Sequence, residues 1–274
     1  MNKFIYKFEA MSTPCELIIY AKDKAIADSS AMAVLNETKR LEKKYNYFKE
    51  DSLISSINTR QTNIIDSETK SILQRAKQYY KATNGIFDIT IATIKDLFKN
   101  ENEISTLEAK KKKLLEYVGC EYFTLKKDKI IFDNDYTKID LGGFVKEYAV
   151  DRAAFILKKH KINAALVNYG GDIYTLGKKP DGSKFKVGIK DPEDRSKYAR
   201  EIEIENQALT TSASYERNYT IEDKTFSHII SKEEKNSSPN SVTVISNSCV
   251  ESGVYSTSIM IDRDIKTNNQ TIIL

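Results

Sequence analysis

The stretch KIDLGGFVKEYAVD, residues Lys138–Asp151, reads as the end of a strand at Ile139, a turn through Asp140 and a Gly-Gly pair, and a helix beginning near Phe144. A helix that starts this way presents free backbone N–H groups and the positive end of its dipole to whatever lies above the turn. The two glycines have no Cβ atoms, so a ligand can approach the main chain closely. Lys146 should project from the first helical turn toward the same point. The segment fits a phosphate-binding turn, although a plain tight turn is the commoner use of a glycine pair.

Composition limits the class of protein. The chain has 274 residues, of which 40% are hydrophobic and 30% charged, so a sizeable core can form. We expect a single domain over 1–274, or two closely packed lobes over about 1–135 and 136–274. The 43 basic and 39 acidic side chains nearly cancel, which argues against a nucleic-acid partner. The lysine run at 110–113 is expected to be a solvated helix face.

Cysteines and apolar runs exclude further classes. Cys15, Cys120 and Cys249 are an odd number without metal-type spacing, so neither a disulfide framework nor a zinc site is predicted. No run reaches the roughly 18 apolar residues of a transmembrane helix. The N-terminal MNKFIYKFEA is too short and too polar for a signal peptide. These features predict a cytoplasmic protein, or a periplasmic or membrane-anchored one from which an export segment has been removed.

Periodicity along the chain predicts an α+β fold. Apolar spacing indicates helices over 24–45, 67–83 and 249–261, and the capping-box pattern of Ser105 and Glu108 predicts another helix that stops at Gly119. Alternating or β-branched runs predict strands over 4–9, 16–21, 122–126, 129–132, 164–168, 184–189, 200–205, 207–212, 217–221, 225–230 and 241–246, with a closing strand in the final NNQTIIL. This order is typical of a meandering antiparallel sheet and not of a doubly wound parallel one.

Several separate segments together resemble a known family. They are MSTPCELI (11–18), YFKEDSLISSIN (47–58), NGIFDITI (84–91), DLGGFVKEYAVDRAA (140–154), ALVNYGGD (165–172), VGIKDP (187–192), TTSASYERNY (210–219), FSHII (226–230) and SVTVISNSC (241–249). No single segment is decisive, but their collinear order over nearly the whole chain resembles the ApbE family, the FAD:protein FMN transferases. The resemblance implies an ApbE-like α+β fold, a largely antiparallel sheet with flanking helices around a flavin-nucleotide cleft.

The same resemblance implies a reaction. Members of the family take FAD, use Mg²⁺, release AMP and attach FMN by a phosphoester bond to a Ser or Thr hydroxyl of an acceptor flavoprotein. Cleaving a pyrophosphate requires that developing negative charge be neutralised and that the attacking hydroxyl be oriented.

Roles for individual residues follow from the resemblance. It implies that Lys146 and His228 act in catalysis, and it places these residues at the FAD: Met11, Phe48, Ile86, Phe87, Asp88, Asp140, Lys146 and His228. It implies a metal held by the Gly143 carbonyl with Ser256 and Thr257.

For several of these residues, the sequence also allows a purely structural role. Asp140 could be a helix N-cap, Lys146 a surface lysine and His228 a hydrogen-bonded core histidine. Met11 could fill the core, and Asp88 could bond buried backbone. His160 is expected at a solvated helix end. The Asn168, Gly170, Gly171 and Asp172 segment is interpreted mainly as a tight turn with an Asx-type bond.

The departures from the family pattern bear on activity. Gly253 stands where family members carry an aspartate that binds the metal, and Glu251 lies roughly 160–200° around the helix from it. A hydroxyl and a carbonyl alone make a poor Mg²⁺ site. Two alternatives therefore stay open, an FAD-binding protein that has lost transfer and an FAD pyrophosphatase. On this reasoning Gly253→Asp should raise Mg²⁺-dependent activity. Ser231-Lys232 and Ala213-Ser214 are further departures.

Overall fold

An antiparallel sheet organises the chain, as seen in a computed structural model that describes residues 1–194, 196–214, 218–227, 229–232 and 239–274. In spatial order its described strands are β1 (Asn2–Ala10), β2 (Thr13–Ala21), β5 (Ala164–Tyr169), β6 (Asp172–Leu176), β9 (Ala208–Ala213), β12 (Ser241–Ser246) and β13 (Gln270–Ile273). Separate two-stranded ribbons join β3 (Phe123–Lys126) to β4 (Lys129–Phe132), β7 (Phe185–Lys190) to β8 (Tyr198–Ile204) and β10 (Asn218–Ile221) to β11 (Lys224–Ser227). The predicted α+β class with a largely antiparallel sheet is confirmed.

Helices cover the sheet and form the regions between its strands. Their described ranges are α1 (Lys24–Tyr45), α2 (Leu53–Asn58), α3 (Ser67–Ala82), α4 (Ala92–Lys95), α5 (Leu97–Asn100), α6 (Ile104–Leu114), α7 (Gly142–Lys159) and α8 (Cys249–Ile261). Short 3₁₀ turns occur at Ile89–Ile91, Leu115–Tyr117 and Cys120–Tyr122. The helices predicted over 24–45, 67–83 and 249–261 are confirmed to within one residue at each end.

Small side chains explain how closely α8 packs. Ser252, Gly253 and Ser256 are buried on this helix, which lies against α7 and against strands β9 and β12. Residues of this size let the helix axis approach its neighbours at short range. The approach brings the side chains of α7 directly over the backbone of α8.

Two local predictions are wrong for identifiable reasons. The strand before the glycine pair ends at Phe132, and Ile139 lies in irregular chain, where its N–H donates to the Asn58 side chain at 2.8 Å and not to a neighbouring strand. Ser105 lies inside α6 and caps nothing, because the N-cap position is Glu103 without a side-chain cap. That helix also ends at Leu114, before Gly119.

The hydrophobic core crosses the boundary between the two lobes considered from sequence. One cluster of buried side chains includes Leu17, Leu73 and Phe123 from before residue 135 and Phe144 and Tyr169 from after it. In the part of the chain that the structure describes, no helix is long and apolar enough to cross a membrane.

Candidate functional site

The structure brings most of the predicted site residues to one cleft of about 390 Å³. It lies at the N-terminal end of α7, between β9, the 86–91 segment and the turn joining β1 to β2. Its lining includes these predicted residues: Met11, Phe48, Ile86, Phe87, Asp88, Asp140, Gly143, Lys146 and Thr257. Ser256 is fully buried behind the wall, and His228 lies outside the described residues.

The N-terminus of α7 forms the floor of the cleft. Leu141 is the N-cap and offers no side-chain cap, while Asp140 Oδ1 accepts the N–H of Gly142 at 2.8 Å. The other oxygen of Asp140 pairs with the Lys95 ammonium. Asp140 therefore does not fill the N-cap position itself; it braces the turn from one residue earlier.

Gly143 leaves the floor open. Its φ and ψ of −90° and 19° break the helical geometry in the first turn of α7. A Cβ added at this residue would meet nothing within 4 Å, so the space above it is free for a ligand.

One rim of the cleft is aromatic. Phe48 is 63% exposed and meets Tyr47 edge to face, with ring centroids 5.3 Å apart. The ammonium groups of Lys95 and Lys99 lie 5.3 Å and 4.8 Å from the Phe48 ring centroid. An exposed aromatic face beside two cations can stack on a planar, electron-poor or anionic ligand.

Met11 and Asp88 each have a structural role and also line the cleft, so the structural and ligand-binding hypotheses for these residues are compatible. Met11 packs against the core while also lining the cleft. Asp88 Oδ1 accepts the Thr90 N–H at 2.8 Å and the Thr90 hydroxyl at 2.6 Å, which is the backbone role considered from sequence. Its Oδ2 is buried without a hydrogen-bond partner among the described residues, and burial raises the pKa of this carboxyl. Asp88 also lines an adjoining hollow of about 320 Å³ that contains Ser231 and Lys232.

The opposite end of the cleft holds a buried ion pair. Lys146 Nζ lies 2.6 Å from Asp172 Oδ2, with side-chain exposures of 28% and 3%. Burial lowers the pKa of Lys146, but the charges of Asp172 and Glu147 outweigh it and raise the pKa overall. Lys146 is therefore a fixed cation at neutral pH and not a proton acceptor.

The sequence interpretation of Asp172 is mainly that of a residue in a tight turn. The expected Asx-type bond is present, since Asn168 Oδ1 accepts the Gly171 N–H at 2.8 Å. That turn delivers Asp172 to the start of β6 and into the cleft. A carboxylate at the first position of a buried strand was the signal for a second role.

Glu147 is a residue that the sequence interpretation missed. Its side chain lines the cleft but is only 6% exposed, and Oε2 has no hydrogen-bond partner among the described residues. Burial and the neighbouring Asp172 raise the pKa of this carboxyl. The available signal was a glutamate on the same helix face as the buried Phe144 and Val150.

Hydroxyl groups complete this end. Ser212 Oγ lies 2.8 Å from Ser256 Oγ and 3.2 Å from Thr257 Oγ1, and the Ser256 hydroxyl donates to the Gly253 carbonyl at 3.1 Å. Thr257 thus faces the cleft while Ser256 supports it from behind.

The donor atoms at this end suit a hard cation. Mg²⁺ takes oxygen ligands and commonly uses one or two carboxylates together with substrate phosphates and water. The carboxylates of Glu147 and Asp172, the Thr257 hydroxyl and the Gly143 carbonyl belong to residues that line the same cleft, and Glu147 Oε2 is buried without a hydrogen-bond partner among the described residues. The described residues contain no group of three or more His, Cys, Asp or Glu that could hold a metal by themselves, so phosphate oxygens would have to complete the shell.

Asp151 fixes α8 against α7. Its carboxylate accepts the N–H groups of Cys249 and Val250 at 2.6 Å and 3.2 Å, which satisfies donors in the first turn of α8. Burial raises the pKa of Asp151 to about 6. The relative placement of Glu147 and Gly253 therefore depends on a charged anchor one helical turn away.

Comparison with known proteins finds related sequences over nearly the whole chain. The family model described as the ApbE family matches residues 11–268. An FAD:protein FMN transferase of Klebsiella pneumoniae (strain 342) is 24% identical, covering 92% of this chain and 81% of that protein. Its counterpart from Vibrio cholerae O395 is 25% identical over 89% of this chain and 77% of that protein.

Solved structures show the same fold. The ApbE protein of Thermotoga maritima superposes with a TM-score of 0.89 at 23% identity, covering 99% of this chain and 94% of that chain. The flavin transferase ApbE of Vibrio cholerae gives a TM-score of 0.83 at 19% identity, with 99% and 97% covered.

Proposed function

The chain belongs to the ApbE family, and from that premise we propose that it is an enzyme that transfers FMN from FAD to a Ser or Thr hydroxyl of an acceptor flavoprotein. In the proposed step the acceptor oxygen attacks the phosphorus of the FMN half of FAD. The bond from that phosphorus to the bridging oxygen breaks, AMP leaves with the bridging oxygen, and the proton of the acceptor hydroxyl is released to water. The acceptor keeps FMN as a phosphoester.

The observation that carries this proposal is the Lys146–Asp172 pair at the open N-terminus of α7. The buried Asp172 carboxylate pairs with the Lys146 ammonium at 2.6 Å and so favours a position in the cleft in which the positive charge can meet a pyrophosphate. The N-terminal end of α7, where the helix dipole is positive, borders the cleft, and Gly143 leaves room there for a phosphate to approach.

The aromatic rim supplies the complementary half of the site. Phe48 is exposed at the edge of the cleft, where it would stack on the flavin ring, while Met11 and Phe87 form apolar walls. An isoalloxazine ring is planar and amphipathic, so one aromatic face and apolar walls suit it.

Mg²⁺ would be held among oxygen donors at the Lys146 end of the cleft. Thr257 would supply a hydroxyl and Gly143 its carbonyl, next to the carboxylates already described. When bound, the ion would neutralise negative charge that develops on the pyrophosphate. Glu147 supports this role, because its buried Oε2 has no hydrogen-bond partner among the described residues and a buried polar atom is costly unless a ligand satisfies it.

The test is a transfer assay with a matched pair of variants. The protein is incubated with FAD, Mg²⁺ and an acceptor flavoprotein that carries a target threonine; covalent FMN is read by in-gel flavin fluorescence and AMP by chromatography. We expect Lys146→Met to lose covalent transfer by about 100-fold or more, and Lys158→Met, on the exposed C-terminal end of the same helix, to match the unmodified chain.

The outcomes distinguish three hypotheses: a transferase, an FAD-binding protein that has lost transfer, and an FAD pyrophosphatase. FAD binding without covalent FMN or free AMP would leave only a binding protein. Free AMP without covalent FMN would indicate a pyrophosphatase, with water in place of the acceptor hydroxyl. Lys146→Met that transfers FMN as well as the unmodified chain would contradict the role assigned to the ion pair.

A further inference from the structure

Glu147 occupies the space that a side chain at position 253 would need. A Cβ built on Gly253 would lie 2.7 Å from Glu147 Cγ, 3.2 Å from Cδ and 3.3 Å from Oε1. The glutamate side chain therefore runs across the bare face of α8 at Gly253, and its carboxylate sits beside the point from which an aspartate at 253 would project.

The carboxylate has the environment of an incomplete ligand. Glu147 is only 6% exposed and lines the cleft. Its Oε2 has no hydrogen-bond partner among the described residues. A buried glutamate without a compensating partner is destabilising in an ordinary core. A cation that binds when substrate phosphate is present would supply the missing partner.

The groups around Glu147 favour a metal ion, and not a lysine ammonium, as the missing partner of its carboxylate. Lys146 is already committed to Asp172 at 2.6 Å. Thr257 and Ser212 present hydroxyl oxygens at the same end of the cleft, and their Oγ atoms lie 3.2 Å apart. Asp151 holds the first turn of α8 against α7, and Glu147, Ser212 and Thr257 all line the same cleft.

We infer that Glu147 on α7 supplies the metal-binding carboxylate that position 253 on α8 lacks in this chain. In this arrangement the carboxylate comes from α7 instead of α8. It lies beside the point from which an aspartate at position 253 would project. This inference deepens the proposed function and rests on it for the identity of the cation as Mg²⁺. It also changes the expectation for Gly253→Asp: the packing argues against a gain from that substitution alone, because the new Cβ would overlap the Glu147 side chain.

The test measures metal binding directly, with Mn²⁺ as a paramagnetic probe for the Mg²⁺ site. Free Mn²⁺ is counted by electron paramagnetic resonance in titrations of the full chain, with and without FAD. The variant is Glu147→Gln, which keeps the shape and removes the charge. The control is Glu251→Gln on α8, whose carboxylate accepts the Asn269 side-chain amide at 3.2 Å and does not line the cleft.

We expect Glu147→Gln to weaken Mn²⁺ binding in the presence of FAD by about tenfold or more, and Glu251→Gln to bind as the unmodified chain does. A second variant tests the exchange of positions: Glu147→Ala combined with Gly253→Asp should bind Mn²⁺ more tightly than Glu147→Ala alone. Flavin fluorescence and thermal unfolding report in parallel that each variant folds and binds FAD.

Two results would overturn the inference. One is Mn²⁺ binding by Glu147→Gln equal to that of the unmodified chain; the other is no Mn²⁺ binding by the unmodified chain with FAD present. Failure of the proposed function is distinguishable, since a chain that binds Mn²⁺ through Glu147 yet transfers no FMN would contradict the transferase proposal and leave the metal ligand standing.

Discussion

Replacing Gly253 with alanine tests the packing between α7 and α8 without adding any chemistry. Alanine has a higher intrinsic helix propensity than glycine, worth about 0.5–1 kcal/mol in favour of the folded state. At Gly253 this gain meets an obstacle, because the new Cβ would lie 2.7 Å from Glu147 Cγ and 3.2 Å from Cδ.

The steric overlap with Glu147 should lower the free energy of unfolding by more than the helix propensity of alanine raises it. Glu147 is buried and its Cγ and Cδ lie in the middle of the side chain, so relief requires a shift of the whole carboxylate. Overpacking of this kind costs about 1–3 kcal/mol. Subtracting the propensity gain leaves a net loss of about 1 kcal/mol in the free energy of unfolding for Gly253→Ala.

A double-mutant cycle isolates the contact. With Glu147→Ala as background the obstacle is gone, so Gly253→Ala should then stabilise the chain by about 0.5–1 kcal/mol. The difference between the two backgrounds gives a coupling energy of about 1–3 kcal/mol. Urea unfolding followed by far-ultraviolet circular dichroism, with unchanged slopes, measures each corner. Equal stabilisation in both backgrounds would refute the placement of Glu147 over Gly253.

Two further predictions concern other parts of the molecule. Phe48→Ala should weaken FAD binding by about 2- to 13-fold, the value of one aromatic contact, with little change in unfolding temperature. The control is Phe155→Ala, which removes an exposed aromatic side chain on the outer face of α7. Equal effects of the two substitutions in flavin fluorescence titrations would argue against stacking at the rim. Burial raises the pKa of Glu68, but hydrogen bonds and charge from Arg40 and Lys44 outweigh it and lower the pKa to about 2, so its stabilising contribution should be complete above about pH 4.5 and disappear as the pH falls toward 2. The stability difference between the unmodified chain and Glu68→Gln should therefore shrink over that range in urea melts, and a difference independent of pH would count against it.

Sequence reasoning succeeded where local pattern and packing agree. The helix over 249–261 has Ser248 as its N-cap, accepting the Glu251 N–H at 3.2 Å, and its small and apolar residues are buried as the pattern requires. The hairpin of β3 and β4 likewise follows from alternating residues around a tight turn. These elements depend on neighbours in the sequence, so periodicity and caps find them.

The failures occurred where distant residues decide the outcome. Ile139 resembles a strand residue, but the Asn58 side chain accepts its N–H from 81 positions away and replaces the strand partner. Asp172 looked like turn architecture because its partner, Lys146, comes from another element. A single sequence carries no direct signal for such pairings.

The position at 253 illustrates the same limit. Read along α8, the sequence shows only that a carboxylate is absent. The fold places a glutamate of α7 over that glycine, a relation that helical spacing within one element cannot reveal. Glu147 could have been suspected from its place on a buried face, but its partner could not.

The most direct test of the proposed transfer is the ratio of AMP released to FMN bound covalently, measured on one reaction of the chain with FAD, Mg²⁺ and a threonine-bearing acceptor flavoprotein. Because each transfer breaks one pyrophosphate bond, we predict that AMP and acceptor-bound FMN accumulate in equal amounts and that both stop when Mg²⁺ is chelated. Accumulation of AMP without bound FMN, or of neither while FAD remains bound, would contradict the account.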